Sequence, residues 1–270
     1  LREAETKTKQ AEVALEEYTR RLEQSNQELE SFAFVASHDL QEPLRKIQAF
    51  SQKIRDSLDD RLGPQEQDYM DRMLRAVERM RDMVDGLLSL SRITTRAQPF
   101  ERVDMGQIAA EVLTDLELRL EKTGGQVVLH PLPVIQADPL QMRQLLLNLI
   151  SNSLKFHRQN EHPLVEVGAD CEARPEKDCP EAWASGKKSS YVNIWIRDNG
   201  IGIPEGELPG LFQPFHRLHG VSEYEGTGMG LAICRKIVER HNGKIHVTSV
   251  LGQGSTFVIC LPRVQKEDET

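Results

Sequence analysis

The feature that most restricts what this chain can fold into is a pair of long apolar stripes at helical spacing, one on each side of Gly63-Pro64. Leu15, Tyr18, Leu22, Ser25, Leu29, Phe32 and Ala36 alternate steps of three and four, the seam of a coiled coil broken only at Ser25. Glu, Gln, Lys and Arg fill the positions between, and all favour helix. Residues 1 to about 60 therefore read as one helix, ended by Gly63-Pro64. Proline suits the first turn of the helix that follows, over about 64–94, where Tyr69, Met73, Val77, Met80, Val84, Leu87 and Leu88 line one face. Two long helices with a short turn make an antiparallel hairpin, and two such hairpins bury both stripes as a four-helix bundle. A lone amphipathic helix could also pack inside its own domain. Little else in the first stretch could cover this one, so a parallel dimer is favoured.

After a linker at Ala97–Pro99 the pattern changes to mixed strand and helix. Strands are predicted near 100–103, 126–130, 134–137, 164–169, 191–197, 244–250 and 255–261. Helices are predicted near 105–122, 139–156 and 229–241. Such a mixture gives a sheet covered on one face by helices. Residues 171–190, rich in charge, Pro and Ser, read as a surface insertion longer than a hairpin needs, with Trp183 inside it.

Composition narrows the function classes. The 270 residues allow one to two domains, and the net charge of -8 argues against a nucleic-acid face. No apolar run approaches the roughly 18 residues of a membrane span, and no signal peptide is present, so a cytoplasmic chain is expected. The chain starts abruptly in a charged helical segment, which points to an upstream sensory part. Cys171, Cys179, Cys234 and Cys260 form no CxxC pair and read as reduced thiols.

Three segments converge on nucleotide chemistry. Asn148-Leu-Ile-Ser-Asn152-Ser-Leu-Lys155 puts two amides and an ammonium on one helix face. Amide oxygens suit a hard cation such as Mg²⁺, and Lys suits phosphate. Asp198-Asn-Gly200-Ile-Gly202-Ile-Pro204 follows a strand, so an acceptor carboxylate stands beside a backbone that a ligand can approach closely. Gly226-Thr227-Gly228-Met-Gly230 opens a helix, where N–H groups and the helix dipole favour phosphate. Each alone is weak: solvated side chains, a tight turn, a common glycine pattern. In this order, with Gly252-Gln-Gly254-Ser-Thr256 behind them, they are strong together.

On these motifs the chain resembles a sensor histidine kinase of the phytochrome-like type, from about Ser31 to Pro262. Asn148–Lys155 is similar to the family's N box, Asp198–Pro204 to G1, Phe212–Phe215 to the F box and Gly226–Gly230 to G2. The resemblance implies the GHKL (Bergerat) ATP-binding α/β sandwich, with ATP and Mg²⁺ as cofactors. It also implies roles. Asp198 would bind the adenine amino group, with Gly200 and Gly202 in its loop. Asn152 would ligate Mg²⁺ with Asn148 in support, and Lys155 would face the phosphates. Gly226, Thr227, Gly228 and Gly230 would wrap the phosphate chain. Residues 216–225 would form a lid, from which Arg217 could reach the phosphates.

Ser37-His38-Asp39-Leu40-Gln41-Glu42-Pro43 is similar to the family's H box, which implies that His38 would be the phosphoacceptor. A neutral imidazole is a good nucleophile near neutral pH, and Asp39 beside it can orient it and take its proton. Pro43 is expected to bend the helix after the site. Glu42 stands where many relatives carry Thr or Asn, so weak or absent phosphatase activity is expected.

The resulting organisation is a coiled-coil signalling helix over 1–30 and a dimerisation and phosphotransfer hairpin over 31–97. A catalytic ATP-binding domain follows over 98–265, with the 171–190 insertion inside it, and a tail over 266–270. The expected partners are a second copy of the chain and a response-regulator receiver domain, meeting Arg45, Gln48, Ala49 and Ser51. Rival readings are a conformational ATPase of the same fold and a dimeric scaffold with a degenerate kinase domain. His38 speaks against the first; Asn152, Asp198 and the glycines speak against the second. His157/His162 and His216/His219 could be drawn as metal pairs, but no cysteine or acidic cluster completes either.

Overall fold

The structure is a computed structural model that describes residues 2–58, 63–95, 97–159, 161–170, 191–218 and 226–265. At 2–14, 16, 22–23, 26–34, 36, 38 and 58 it describes the backbone alone. The Trp183 insertion, Cys171, Cys179, His219, lid residues 219–225 and the 266–270 tail lie outside the described residues. The chain divides into two compact units, Leu1–Ser91 and Arg92–Thr270.

The first unit is built from α1 (Arg2–Leu58) and α2 (Pro64–Thr95), the last turn of α2 belonging to the second unit. Three polar contacts give the register. Gln41 donates to Asp85 at 2.5 Å, Arg81 to Gln48 at 3.1 Å and Arg55 to Asp71 at 3.3 Å. Positions rise along α1 as they fall along α2, so the pair is an antiparallel hairpin. Pro43 lies inside α1, which continues through it to Leu58. Leu44, Val77 and Leu88 are buried between the helices. Leu40, Ile47, Phe50 and Ile54 on α1, and Tyr69, Met73 and Met80 on α2, remain exposed within the single chain. Ser51, read from sequence as part of a partner-facing surface, is only 4% exposed: its own side chain is turned inward, unlike those of Phe50 and Ile54 beside it.

The second unit is a mixed sheet with helices. β2 (Gln126–Leu129), β4 (Leu164–Asp170), β5 (Tyr191–Asp198), β6 (Lys244–Val250) and β7 (Gly254–Pro262) form a five-stranded sheet in the order β2-β4-β5-β7-β6. Only the β2–β4 pair is parallel. β1 (Glu101–Asp104) pairs with β3 (Val134–Ala137) as a separate ribbon, a division that strand patterning does not reveal. On β5, Val192, Ile194 and Ile196 alternate into the core, as a half-buried strand requires. β5 packs on α5 (Pro139–Lys155), while β6 and β7 of the same sheet pack on α6 (Gly230–Arg240); Leu145, Leu146, Leu149, Ile150, Ile233 and Ile237 are buried on the two helices.

The helix expected over 105–122 is two helices, α3 (Met105–Asp115) and α4 (Glu117–Thr123), separated at Leu116. Leu116 leaves helical geometry yet stays buried, so the break does not expose the core. A short 3-10 helix over Glu205–Gly210 was not anticipated; Pro209 inside it disfavours a longer helix.

Candidate functional site

α5 carries the first group of site residues. Asp138 caps it, its carboxylate accepting the N–H groups of Leu140 at 3.1 Å and Gln141 at 3.2 Å, and Pro139 opens the first turn. Along the helix, buried pairs (Leu145/Leu146, Leu149/Ile150, Ser153/Leu154) alternate with half-buried ones, and Asn148, Asn152 and Lys155 all fall on the half-buried face. Sequence periodicity placed them together, and the fold supplies what they face.

That partner is the start of α6. A Cβ built on Gly230 would lie 3.8 Å from the Asn148 side chain and 3.9 Å from Asn152 Nδ2. Asn148 Nδ2 donates to the Gly230 carbonyl at 3.5 Å. A Cβ on Gly226 would lie 2.9 Å from Lys155 Nζ, and Lys155 Nζ also sits 4.2 Å from the centroid of the Phe156 ring. Two amides, an ammonium and a glycine-rich helix start thus share one cradle. Thr227 Oγ1 accepts the Met229 N–H at 3.3 Å and shapes the approach to that helix.

The three glycines divide their work in a way the sequence does not show. Gly228 turns away from the two asparagines. Its φ is 75°, and a Cβ there would lie 2.5 Å from the His216 carbonyl oxygen. It is therefore a close-packing residue against the Phe215-His216 backbone. Phe215 itself has a φ of 64°, an uncommon conformation for an aromatic residue.

Asp198 ends β5 behind this cradle. Its Oδ1 accepts two backbone N–H groups, from Gly200 at 2.9 Å and Ser255 at 3.1 Å. Its Oδ2 takes one longer contact, 3.4 Å from the Ser153 hydroxyl. Burial pushes this carboxyl above its ordinary range, and the two N–H donors and Ser153 oppose that rise. The loop after it is anchored on three sides. Ile201 N–H donates to Phe156 O at 3.0 Å, Gly252 N–H to Ile201 O at 2.7 Å, and Ile203 N–H to Ser249 Oγ at 2.8 Å. Gly254 packs its bare Cα against the Asp198 carbonyl, where no Cβ would fit. Gly200 packs in the same way against the Phe156 carbonyl, and Gly202 against Val250 O.

Three serines in this site escaped sequence reasoning: Ser153, Ser249 and Ser255. Ser153 left one usable signal, a hydroxyl at a position of α5 that the apolar pattern requires to be buried. Cys234 is a core group: burial pushes its thiol up to about 12, which keeps it protonated and unreactive. Of the paired-histidine alternatives, His216/His219 lies partly outside the described residues, and in His157/His162 each ring has a backbone neighbour instead. His157 Nδ1 lies 3.0 Å from Arg158 O and His162 Nδ1 lies 3.2 Å from Thr123 O, each within bonding reach of a backbone carbonyl.

The sequence-predicted phosphoacceptor, His38, lies on α1 in the first unit, where its backbone but not its side chain is described. Asp39 beside it is exposed. Glu42, one turn on, pairs with Lys46 at 2.6 Å.

Comparison with known proteins matches both units. Residues 28–96 match the His Kinase A (phospho-acceptor) domain, and residues 137–265 match the histidine kinase-, DNA gyrase B-, and HSP90-like ATPase. The chain is 38% identical over 248 residues to cyanobacterial phytochrome A of Nostoc sp., covering 92% of this chain and 30% of that protein. It is 33% identical over 249 residues to the methanogenesis regulatory histidine kinase FilI of Methanothrix harundinacea, covering 92% of this chain and 26% of that one. It therefore spans less than a third of the length of these relatives. The fold is similar to that of full-length ShkA, solved in complex with AMPPNP, with a TM-score of 0.61, 22% identity, and coverage of 87% of this chain and 46% of ShkA. Among the described residues no helix is long and apolar enough to cross a membrane. The chain thus joins a match to the His Kinase A (phospho-acceptor) domain to a match to the histidine kinase-, DNA gyrase B-, and HSP90-like ATPase, in that order.

Proposed function

We propose that this chain is the transmitter of a sensor histidine kinase of the phytochrome-like type, which autophosphorylates on His38 and passes the phosphoryl group to an aspartate of a response regulator. The observation that carries the reading is the meeting of Asn148 and Asn152 with Gly230, and of Lys155 with Gly226, in a chain whose other domain holds His38. Asp198, whose Oδ1 takes two N–H donors and whose Oδ2 takes only the longer Ser153 contact, has Oδ2 for the adenine amino group. The cradle fits Mg²⁺: its side chains offer neutral amide oxygens, which leave the ion free to keep phosphate and water ligands. Asn152 would hold it, with Asn148 beside it, and when bound it would neutralise charge on the phosphate chain.

Transfer is written as an in-line displacement. The unprotonated ring nitrogen of His38 forms a bond to the γ-phosphorus as the bond from that phosphorus to the ADP oxygen breaks. The remaining ring N–H proton passes to the Asp39 carboxylate. In the second transfer the nitrogen–phosphorus bond breaks and an aspartate oxygen takes its place. A second copy of the chain would cover the exposed Ile47, Phe50, Ile54 and Met80 faces as a four-helix bundle. Glu42, in place of a neutral hydrogen-bonding residue, makes the site poorer at removing phosphate from the regulator than at giving it.

The test is incubation with γ-labelled ATP and Mg²⁺. An acid-labile, base-stable label on the parent that is absent from His38→Gln is expected. Undiminished label on His38→Gln would sink the assignment.

A further inference from the structure

We propose that Ser249 is a positioning residue for adenine recognition: it locks the loop and the strand that together aim Asp198. The inference rests on the reading of Asp198 as the group that meets the adenine amino group. Ser249 is on β6, directly across the ladder from Ser255 on β7, and belongs to none of the sequence motifs that mark the site.

Hydrogen-bond accounting fixes its role. A hydroxyl has one proton and two acceptor positions. Ser249 Oγ accepts the Ile203 N–H at 2.8 Å and donates to the Gly254 carbonyl at 2.9 Å. Its proton is thereby used, so the 2.9 Å contact with Ser255 Oγ is a donation from Ser255. All three capacities of one side chain are filled, one by the loop after Asp198 and two by Gly254-Ser255. Ile203 belongs to the loop that follows Asp198. Gly254 packs on the Asp198 carbonyl, and the Ser255 N–H donates to Asp198 Oδ1.

Ser249 thus connects the two segments that hold Asp198: the Gly200–Ile203 loop on one side, Gly254-Ser255 on the other. With Oδ1 held by the Gly200 and Ser255 N–H groups, the carboxylate plane is set and Oδ2 is the oxygen left to turn toward a donor. Removing the Ser249 hydroxyl leaves a loop N–H and a carbonyl without their shared partner. The Ser255 strand end and the loop can then shift relative to each other, and the carboxylate between them loses its fixed plane.

The experiment measures dissociation constants for Mg-ATP and Mg-inosine triphosphate, which lacks the exocyclic amino group, on the full chain. The variants are Ser249→Thr, Ser249→Cys and Ser249→Ala, with Asp198→Asn as control. Ser249→Ala is expected to weaken ATP roughly tenfold while inosine triphosphate changes little, so that purine discrimination collapses. Ser249→Thr, which keeps the hydroxyl, is expected to retain parental discrimination, and Ser249→Cys, a weaker acceptor, to fall between. If Ser249→Ala does not fold, the Thr–Cys difference carries the test. Equal loss of both nucleotides in Ser249→Ala, or unchanged discrimination while Asp198→Asn loses it, overturns the proposal for Ser249. Discrimination that survives Asp198→Asn overturns the adenine reading of Asp198, and the proposal with it.

Discussion

Arg240 donates to the Asp138 carboxylate at 3.1 Å, with side-chain exposures of 19% and 1%, although 102 positions of sequence separate them. Asp138 also caps α5 and accepts the Gln98 N–H at 2.8 Å. Arg240 further donates to Gln141 Oε1 at 2.9 Å and Gln98 O at 2.8 Å, and lies 4.6 Å from the centroid of Phe100. One ion pair therefore joins the start of the helix bearing Asn148 and Asn152 to the end of α6.

Arg240→Ala strands a buried carboxylate. It is expected to cost about 3–5 kcal/mol and to lower the melting temperature by roughly 10 °C. Asp138→Ala should cost at least as much, because the cap is lost with the charge. The exposed pair Arg235–Glu239, at 2.7 Å and with exposures of 55% and 52%, is the internal control. Arg235→Ala should move the melt by no more than about 2 °C. Thermal melts of the three variants decide the matter, and equal shifts for Arg240→Ala and Arg235→Ala would remove the special status of the buried pair.

His241 predicts a pH dependence. It is fully buried, its Nε2 accepts the Asp138 N–H at 3.0 Å and its Nδ1 lies 2.7 Å from the Ile237 carbonyl, so it is the neutral Nδ1–H tautomer. Burial pushes its imidazole below the ordinary value of 6.5; Arg240 pushes the same way, while the Ile237 carbonyl and Asp138 push back. The unfolded chain therefore binds a proton at a pH where the folded chain does not. Stability is full above 6.5 and declines as pH falls below it, until the folded imidazole itself titrates. Denaturant midpoints measured downward from pH 7.5 should show this slope, and His241→Gln should flatten it.

Asp198 predicts a trade between stability and binding. Its folded carboxyl titrates above the ordinary 3.8, so stability is greatest below that value and declines as pH rises through the folded one. In its ionised form the group is a net burden on the nucleotide-free fold. In Asp198→Asn the amide oxygen keeps both N–H donors and the amide nitrogen can donate to Ser153. The nucleotide-free variant should melt higher than the parent, yet bind ATP roughly 10- to 100-fold more weakly. A lower melting temperature would contradict the account of the buried charge.

Two glycines give a matched comparison. Gly228 and Gly252 have φ of 75° and 79°, so alanine meets the same backbone strain at either. A Cβ at Gly252 meets nothing within 4 Å, whereas at Gly228 it lies 2.5 Å from His216 O. Gly252→Ala should cost about 1 kcal/mol of stability. Gly228→Ala should cost that plus a forced separation of the Phe215-His216 backbone, with weaker nucleotide binding. Equal effects in denaturant melts would show that packing against His216 contributes nothing.

Much of this protein is determined by sequence alone because the signals are local and periodic. Alternating three- and four-residue steps give the two helices of the first unit. Helical spacing puts Asn148, Asn152 and Lys155 on one face, and a strand pattern that runs into Asp198-Asn-Gly places that carboxylate at the end of a strand. Other features depend on contacts between segments that no periodicity encodes. The fold decides that Gly230 and Gly226 meet the asparagines and Lys155 while Gly228 packs on His216. It decides that Asp138, Arg240 and His241 share one buried network, and that Ser51 faces inward. Ser249, an ordinary strand serine in the sequence, becomes a link between two halves of the site only because β6 and β7 pair in a register that sets it opposite Ser255. A side chain's chemistry is written in its own position; which lone pair or proton it has left is set by its neighbours in space.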